Sequence, residues 1–225
     1  MEVYWLEQTE ADVPAGDNWL SASEAACLGR LRFAKRRADW RLGRWTAKCA
    51  VAAYLKMPGC PTALEIRAAP SGAPEVYVQS RPAEVTISIS HRARRAACAV
   101  SPAGAALGCD VEIVEPHSDA FAADYFTAEE QSLVAQSGAG RHALLTMLWS
   151  GKESALKALG EGLRLDTRCV TVRPLDVQES SGEWIWRPMQ ADRTSGEVLH
   201  GWWQRAGDVV RTLVSRPVSG PPIWL

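Results

Sequence analysis

The chain has no C-x-x-C pair, no long apolar run and no low-complexity tract, and each of these absences excludes a class of protein. Six cysteines at positions 27, 49, 60, 98, 109 and 169 are scattered. They read as reduced, mostly buried thiols, not as a disulfide framework or a zinc site. No stretch approaches the roughly 18 apolar residues that a membrane span requires. The opening Met1-Glu-Val-Tyr-Trp-Leu6 lacks a basic segment followed by an apolar one, so the expectation is a cytoplasmic protein with no signal peptide and no membrane partner. A net charge of −1 and a pI near 6.4 give no support to nucleic-acid binding.

What is present is an ordinary globular composition, 47% hydrophobic and 23% charged over 225 residues. That length suits one domain or two small ones of about 100 residues each. Charge is unevenly placed. Arg30, Arg32, Lys35, Arg36, Arg37, Arg41, Arg44 and Lys48 stand against Asp39 alone, a local balance of +7 on a chain whose remainder sums to −8. Such a patch implies a localised anionic ligand, or else a solvated helix face.

Ser21-x-x-Glu24 predicts the cap of a first helix, and Leu42, Trp45, Cys49 and Ala52 mark the buried stripe of a second, ending at Pro58-Gly59. Strands are expected at 64–69, 85–90, 96–100 and 105–114. Thr127-x-x-Glu130 repeats the cap, and a helix over 141–159 stops at Gly160. Strands follow at 168–173, 183–188, 197–203 and 208–214, with an irregular tail from Ser215. Helices and then strands, twice over, predict an α+β fold built of two similar subdomains in pseudo-twofold arrangement, 1–104 and 105–225.

Chemistry concentrates in the second half. In a strand, Asp110 and Glu112 share one face while Cys109, Val111 and Ile113 share the other. In a helix, Glu153 and Lys157 sit one turn apart. If strand and helix pack together, three carboxylates and a lysine converge, a site for a hard divalent cation, a phosphate-bearing substrate and a proton-transfer pair.

Gly108-Cys-Asp-Val-Glu112 and Trp149-Ser-Gly-Lys-Glu-Ser-Ala-Leu-Lys157 resemble the two signatures of the 4′-phosphopantetheinyl transferases, in particular the surfactin-type (Sfp-like) group. Ser90-His91 resembles the family's upstream S-H motif, and Gly72-Ala-Pro74 its G-[KR]-P motif with Ala73 replacing the basic residue. The resemblance implies transfer of the phosphopantetheine arm of coenzyme A to a serine of an apo acyl or peptidyl carrier protein, with release of 3′,5′-ADP. It implies Asp110, Glu112 and Glu153 as ligands of Mg²⁺ or Mn²⁺, and Glu153 as the base. Lys157 would hold Glu153 ionised and neutralise or protonate the leaving phosphate. Lys152 is expected on the pyrophosphate. Arg36, Arg44, Lys48, Ser90 and His91 are expected on the coenzyme's 3′-phosphate or adenosine, and Arg37 and Arg41 in solvent. Phe121, Tyr125 and Phe126 are read as a carrier-docking patch or as core. With two similar halves in one chain, a monomer is expected.

Two rivals remain at this stage, a metal-dependent nuclease and a noncatalytic coenzyme A-binding protein. Nuclease sites of the D…[DE]-x-K kind put the lysine two residues after the acid on a strand, whereas here it is four residues on in a helix. A decayed site should have lost some of Asp110, Glu112, Glu153 and Lys157.

Overall fold

Side-chain caps fix where the helices begin. In the computed structural model, which describes residues 1–57, 61–161, 165–175 and 184–225, Ser21 accepts the Glu24 N–H and Glu24 returns the bond to the Ser21 N–H. Thr127 and Glu130 do the same. The capped helices and the strands they pack on form two units, residues 2–105 with 223–225, and Met1 with 106–222.

The N-terminal unit runs β1 (Tyr4–Thr9), α1 (Ala22–Arg30), α2 (Ala34–Tyr54), β2 (Leu64–Ala68), β3 (Pro74–Val78), β4 (Arg81–Pro82), β5 (Val85–Arg92) and β6 (Arg95–Pro102). β1, β6 and β5 pair antiparallel in that spatial order, and the small sheet β2-β3-β4 lies beside β5. α2 is rich in Ala, Arg and Lys, good helix formers, and buries Ala47, Ala50 and Val51 against Leu64, Ile66, Val76, Ile87 and Val100. Each such aliphatic side chain removed from water contributes about 1.5–3 kcal/mol.

The C-terminal unit runs β7 (Ala106–Ile113), α3 (Asp119–Tyr125), α4 (Ala128–Gln136), α5 (Arg141–Ala158), β8 (Val170–Pro174), β9 (Arg187–Arg193), β10 (Val198–Ala206) and β11 (Val209–Arg216). Its sheet is antiparallel in the order β7-β11-β10-β9-β8. α5 lies on one face, with Leu145, Leu148, Leu156, Val170, Val172, Met189 and Val214 as core. Gly160, at φ +73°, turns the chain left-handed, and the Glu161 N–H closes back on the Leu156 carbonyl. The last strand, β12 (Ile223–Trp224), pairs in parallel with β1 and belongs to the N-terminal unit.

The α+β class is as expected, and the two units share one plan internally. In each, a strand is followed by a capped short helix, a long helix and antiparallel strands, and β1-β6-β5 mirrors β7-β11-β10. Several elements differ from the sequence reading. β1, β3 and α3 were not expected. The tail expected to be irregular holds the last residues of β11 and all of β12. α2 ends at Tyr54, and its expected stop at Pro58-Gly59 lies outside the described residues. The strand expected at 183–188 lies at Arg187–Arg193 instead, and residue 183 is outside the described set. No helix among the described residues is long and apolar enough to cross a membrane.

Candidate active site

Gly108 determines how near α5 comes to β7. A Cβ built there would stand 1.8 Å from the Ser154 carbonyl oxygen and 2.7 Å from the Ala158 nitrogen, so only glycine allows this approach. The alternation of the strand then turns Asp110 and Glu112 to the same helix-facing side, and buries Cys109 and Val111 on the other. Cys109 is thus a core thiol, as its strand position predicts.

On α5, Lys157 Nζ donates to Asp110 Oδ1 at 2.8 Å and to the Cys109 carbonyl at 3.0 Å, and lies 3.6 Å from Glu153 Oε2. Asp110 is 2% exposed and Glu112 is half-buried two residues along. Burial, reinforced by the charge on Asp110, pushes the Glu153 carboxyl up to about 7 against the opposing pull of Lys157. Burial also works against the Lys157 ammonium, but Asp110 and Glu153 outweigh it and hold its pKa above the ordinary lysine value. Lys157 thus lies nearer to Asp110 than to Glu153, and burial opposes the ionisation of Glu153 that the lysine favours.

The rest of the second signature is structural. Ser150 Oγ and Ser154 Oγ lie 2.8 and 2.7 Å from Thr212 Oγ1 on β11. Trp149 packs against Phe121 and Tyr125, each 5.3 Å between centroids. Phe126 is core at 1% exposure, whereas Tyr125 is 41% exposed, so the proposed aromatic patch divides between the two readings. Lys152 is fully buried: its ammonium pairs with Glu130 at 2.8 Å and donates to the Thr167 and Val170 carbonyls. All three of its donors are taken within the protein, which corrects its assignment to the pyrophosphate.

The remaining expected ligands belong to the N-terminal unit. Arg36 is exposed in the first turn of α2. Arg44 is half-buried over the Trp40 ring at 5.0 Å, and burial pulls its pKa down. Ser90 is buried at the end of β5, and the next residue, His91, is exposed with its Cδ2 3.9 Å from where a Gly43 Cβ would be. Lys48 departs from expectation as Lys152 does. It is fully buried, 2.6 Å from Glu24, and donates to the Trp19 carbonyl at 2.8 Å, which leaves no solvent face for a phosphate. Arg37 and Arg41 are not simply solvated: Arg37 donates to the Leu28 carbonyl, and Arg41 pairs with Asp17 and holds the 14–16 carbonyls.

The residues that sequence reasoning missed are Glu130 and Glu24, which it took only for caps. In the structure each cap glutamate bonds the N–H of a strand residue 42 positions on, Val172 and Ile66 respectively; the signal in the sequence was the later lysine in an apolar helical setting, Lys152 and Lys48.

Among the described residues no three His, Cys, Asp or Glu are gathered as a metal cage. The donors nevertheless fit a hard cation. Asp110 and Glu153 both face the Lys157 ammonium, at 2.8 and 3.6 Å, and Mg²⁺ takes only one or two protein carboxylates beside water and substrate oxygens.

Comparison with known proteins finds likenesses to part of the chain. Residues 106–209, which hold β7 through the start of β11, match the model of the 4′-phosphopantetheinyl transferase superfamily. No curated protein matches. Among solved structures, the chain is similar to Helicobacter pylori holo-[acyl-carrier-protein] synthase in complex with coenzyme A, at 17% identity and a TM-score of 0.31, over 45% of this chain and 99% of the synthase.

Proposed function

We propose that this protein moves the 4′-phosphopantetheine arm of coenzyme A onto a serine hydroxyl of an apo acyl or peptidyl carrier protein, with Mg²⁺, releasing 3′,5′-ADP. The observation that carries the reading is the geometry around Lys157, whose ammonium lies 2.8 Å from Asp110 and 3.6 Å from Glu153, inside the stretch that matches the transferase model. The serine oxygen attacks the phosphorus that bears the pantetheine, and its proton passes to Glu153. The bond from that phosphorus to the oxygen of the adenosine-side phosphate breaks, and 3′,5′-ADP leaves with the bond electrons. Lys157 stays protonated throughout, because its pKa is raised, and neutralises charge on the departing phosphate without giving up its proton. Asp110 and Glu153 are the side chains that would hold the cation, with Glu112 on the same strand face as a further candidate, and the cation would neutralise the bridging phosphates. Arg36, Arg44, Ser90 and His91 are proposed for the coenzyme's 3′-phosphate and adenosine. The plan common to both units in one chain supports the surfactin-type subgroup and a monomer.

Intact-mass spectrometry of an apo carrier protein incubated with the enzyme, coenzyme A and Mg²⁺ tests this. The expected result is a gain of about 340 Da, the phosphopantetheine group, abolished by EDTA. No gain on several unrelated carriers, with coenzyme A binding intact, would leave a binding protein. Absence of both would overturn the assignment.

A further inference from the structure

We propose that Glu130 is a positioning residue for Glu153: through Lys152 it sets the roll of α5 that turns Glu153 and Lys157 toward β7. One Glu130 carboxylate reaches three elements. One oxygen accepts the Thr127 N–H at 2.8 Å and pairs with Lys152, while the other accepts the Val172 N–H at 2.8 Å. Glu130 is 1% exposed and Lys152 is fully buried, so neither charge can turn to water if the other is lost.

The two flanks of α5 are held separately. Ser150 and Ser154, on the side nearly opposite Lys152, are fastened to Thr212, and the contact at Gly108 brings Ser154 onto β7. Those contacts form a pivot, and the Glu130–Lys152 pair is the restraint on the other flank. Glu153 and Lys157 project between them. The N-terminal unit repeats the device without the chemistry. Glu24 caps α1, accepts the Ile66 N–H at 3.0 Å and pairs with Lys48. There, too, the residue after the locked lysine, Cys49, is turned onto the first strand, against Gln8. In both units the lock sets the direction of the side chain that follows it.

The kinetic half of the test rests on the transfer reading; the structural half does not. Glu130→Gln keeps an acceptor for Val172 but leaves Lys152 without a counter-charge, and Glu130→Gln with Lys152→Met removes both charges and restores a foldable core. In the crystal structure of the double variant, α5 is expected to roll and Lys157 to leave its 2.8 Å contact with Asp110. Per folded molecule, kcat is expected to fall at least tenfold while KM for coenzyme A stays within twofold. A double variant that keeps the Lys157–Asp110 contact, and whose kcat equals that of the parent, would overturn the proposal. If the parent transfers nothing to any carrier, the transfer reading fails, and the α5 geometry of the double variant still decides this one.

Discussion

Glu153 carries a pH dependence whose sign follows from its environment. Its native pKa, about 7, lies above the ordinary value of 4.5, so the folded protein holds a proton that the unfolded chain has released between those values. Stability of the metal-free protein should therefore fall as pH rises through that window. Glu153→Gln removes this liability. In EDTA at pH 8 the variant should be more stable than the parent by about 1–3 kcal/mol, with little difference at pH 4, as read from urea denaturation. The same substitution should abolish transfer while leaving coenzyme A binding intact. At this scale the sequence was legible where spacing defines a face: Asp110, Glu153 and Lys157 meet as their periodicities require. It was not legible where the question is depth. Lys152 sits one residue, and so about 100° of helix, from Glu153, and nothing in its spacing distinguishes a buried ammonium from a phosphate ligand.

At the level of the element, the α5–β7 contact is the joint on which the site depends. Gly108→Ala should force α5 away from β7, costing about 3 kcal/mol or more on the scale of overpacked cores and lowering transfer in proportion. A combined urea melt and activity assay would show it, and parent-like values for both would refute the account of the joint. Thr212→Val takes the hydroxyl partner from buried Ser150, while Ser154 keeps its bond to the backbone carbonyl of residue 212, and should cost about 1–3 kcal/mol. The helices were readable because their ends carry capping boxes, and the strands 64–69, 85–90 and 96–100 because they alternate or are apolar. β1 and β3 lacked those marks: Glu7-Gln-Thr9 is polar and half-buried, and Pro74 opens β3. In the shifted β9, Pro188 pairs opposite Trp202, a placement set by the neighbouring strand and invisible in local pattern.

For the whole molecule, two units of one plan carry unequal chemistry. Registers within each sheet place Leu6 and Gln8 of β1 where β7 has Asp110 and Glu112, and the locked lysines align Cys49 and Ala53 with Glu153 and Lys157. The N-terminal unit thus keeps the scaffold of the site without its carboxylates. Titration with Mn²⁺ in the presence of coenzyme A should give one tight cation per chain, and Asp110→Ala should remove it. Two equivalent cations would contradict the comparison. The repeated order of elements was visible in the sequence. The exchange of the chain's end was not, since pairing between residues 4 and 223 depends on contacts far apart in the chain.

β8 is the outer strand of its sheet, and β2 the outer strand of the smaller one. An outer strand offers free amide and carbonyl groups to any passing chain, and proteins normally blunt that hazard with charge or covering elements. Here the covering is done by side chains. Glu130 occupies the Val172 N–H, Lys152 occupies the Val170 carbonyl, and Glu24 occupies the Ile66 N–H. Loss of either glutamate would open a sheet margin to strand addition, so self-association is expected alongside the loss of the buried ion pair.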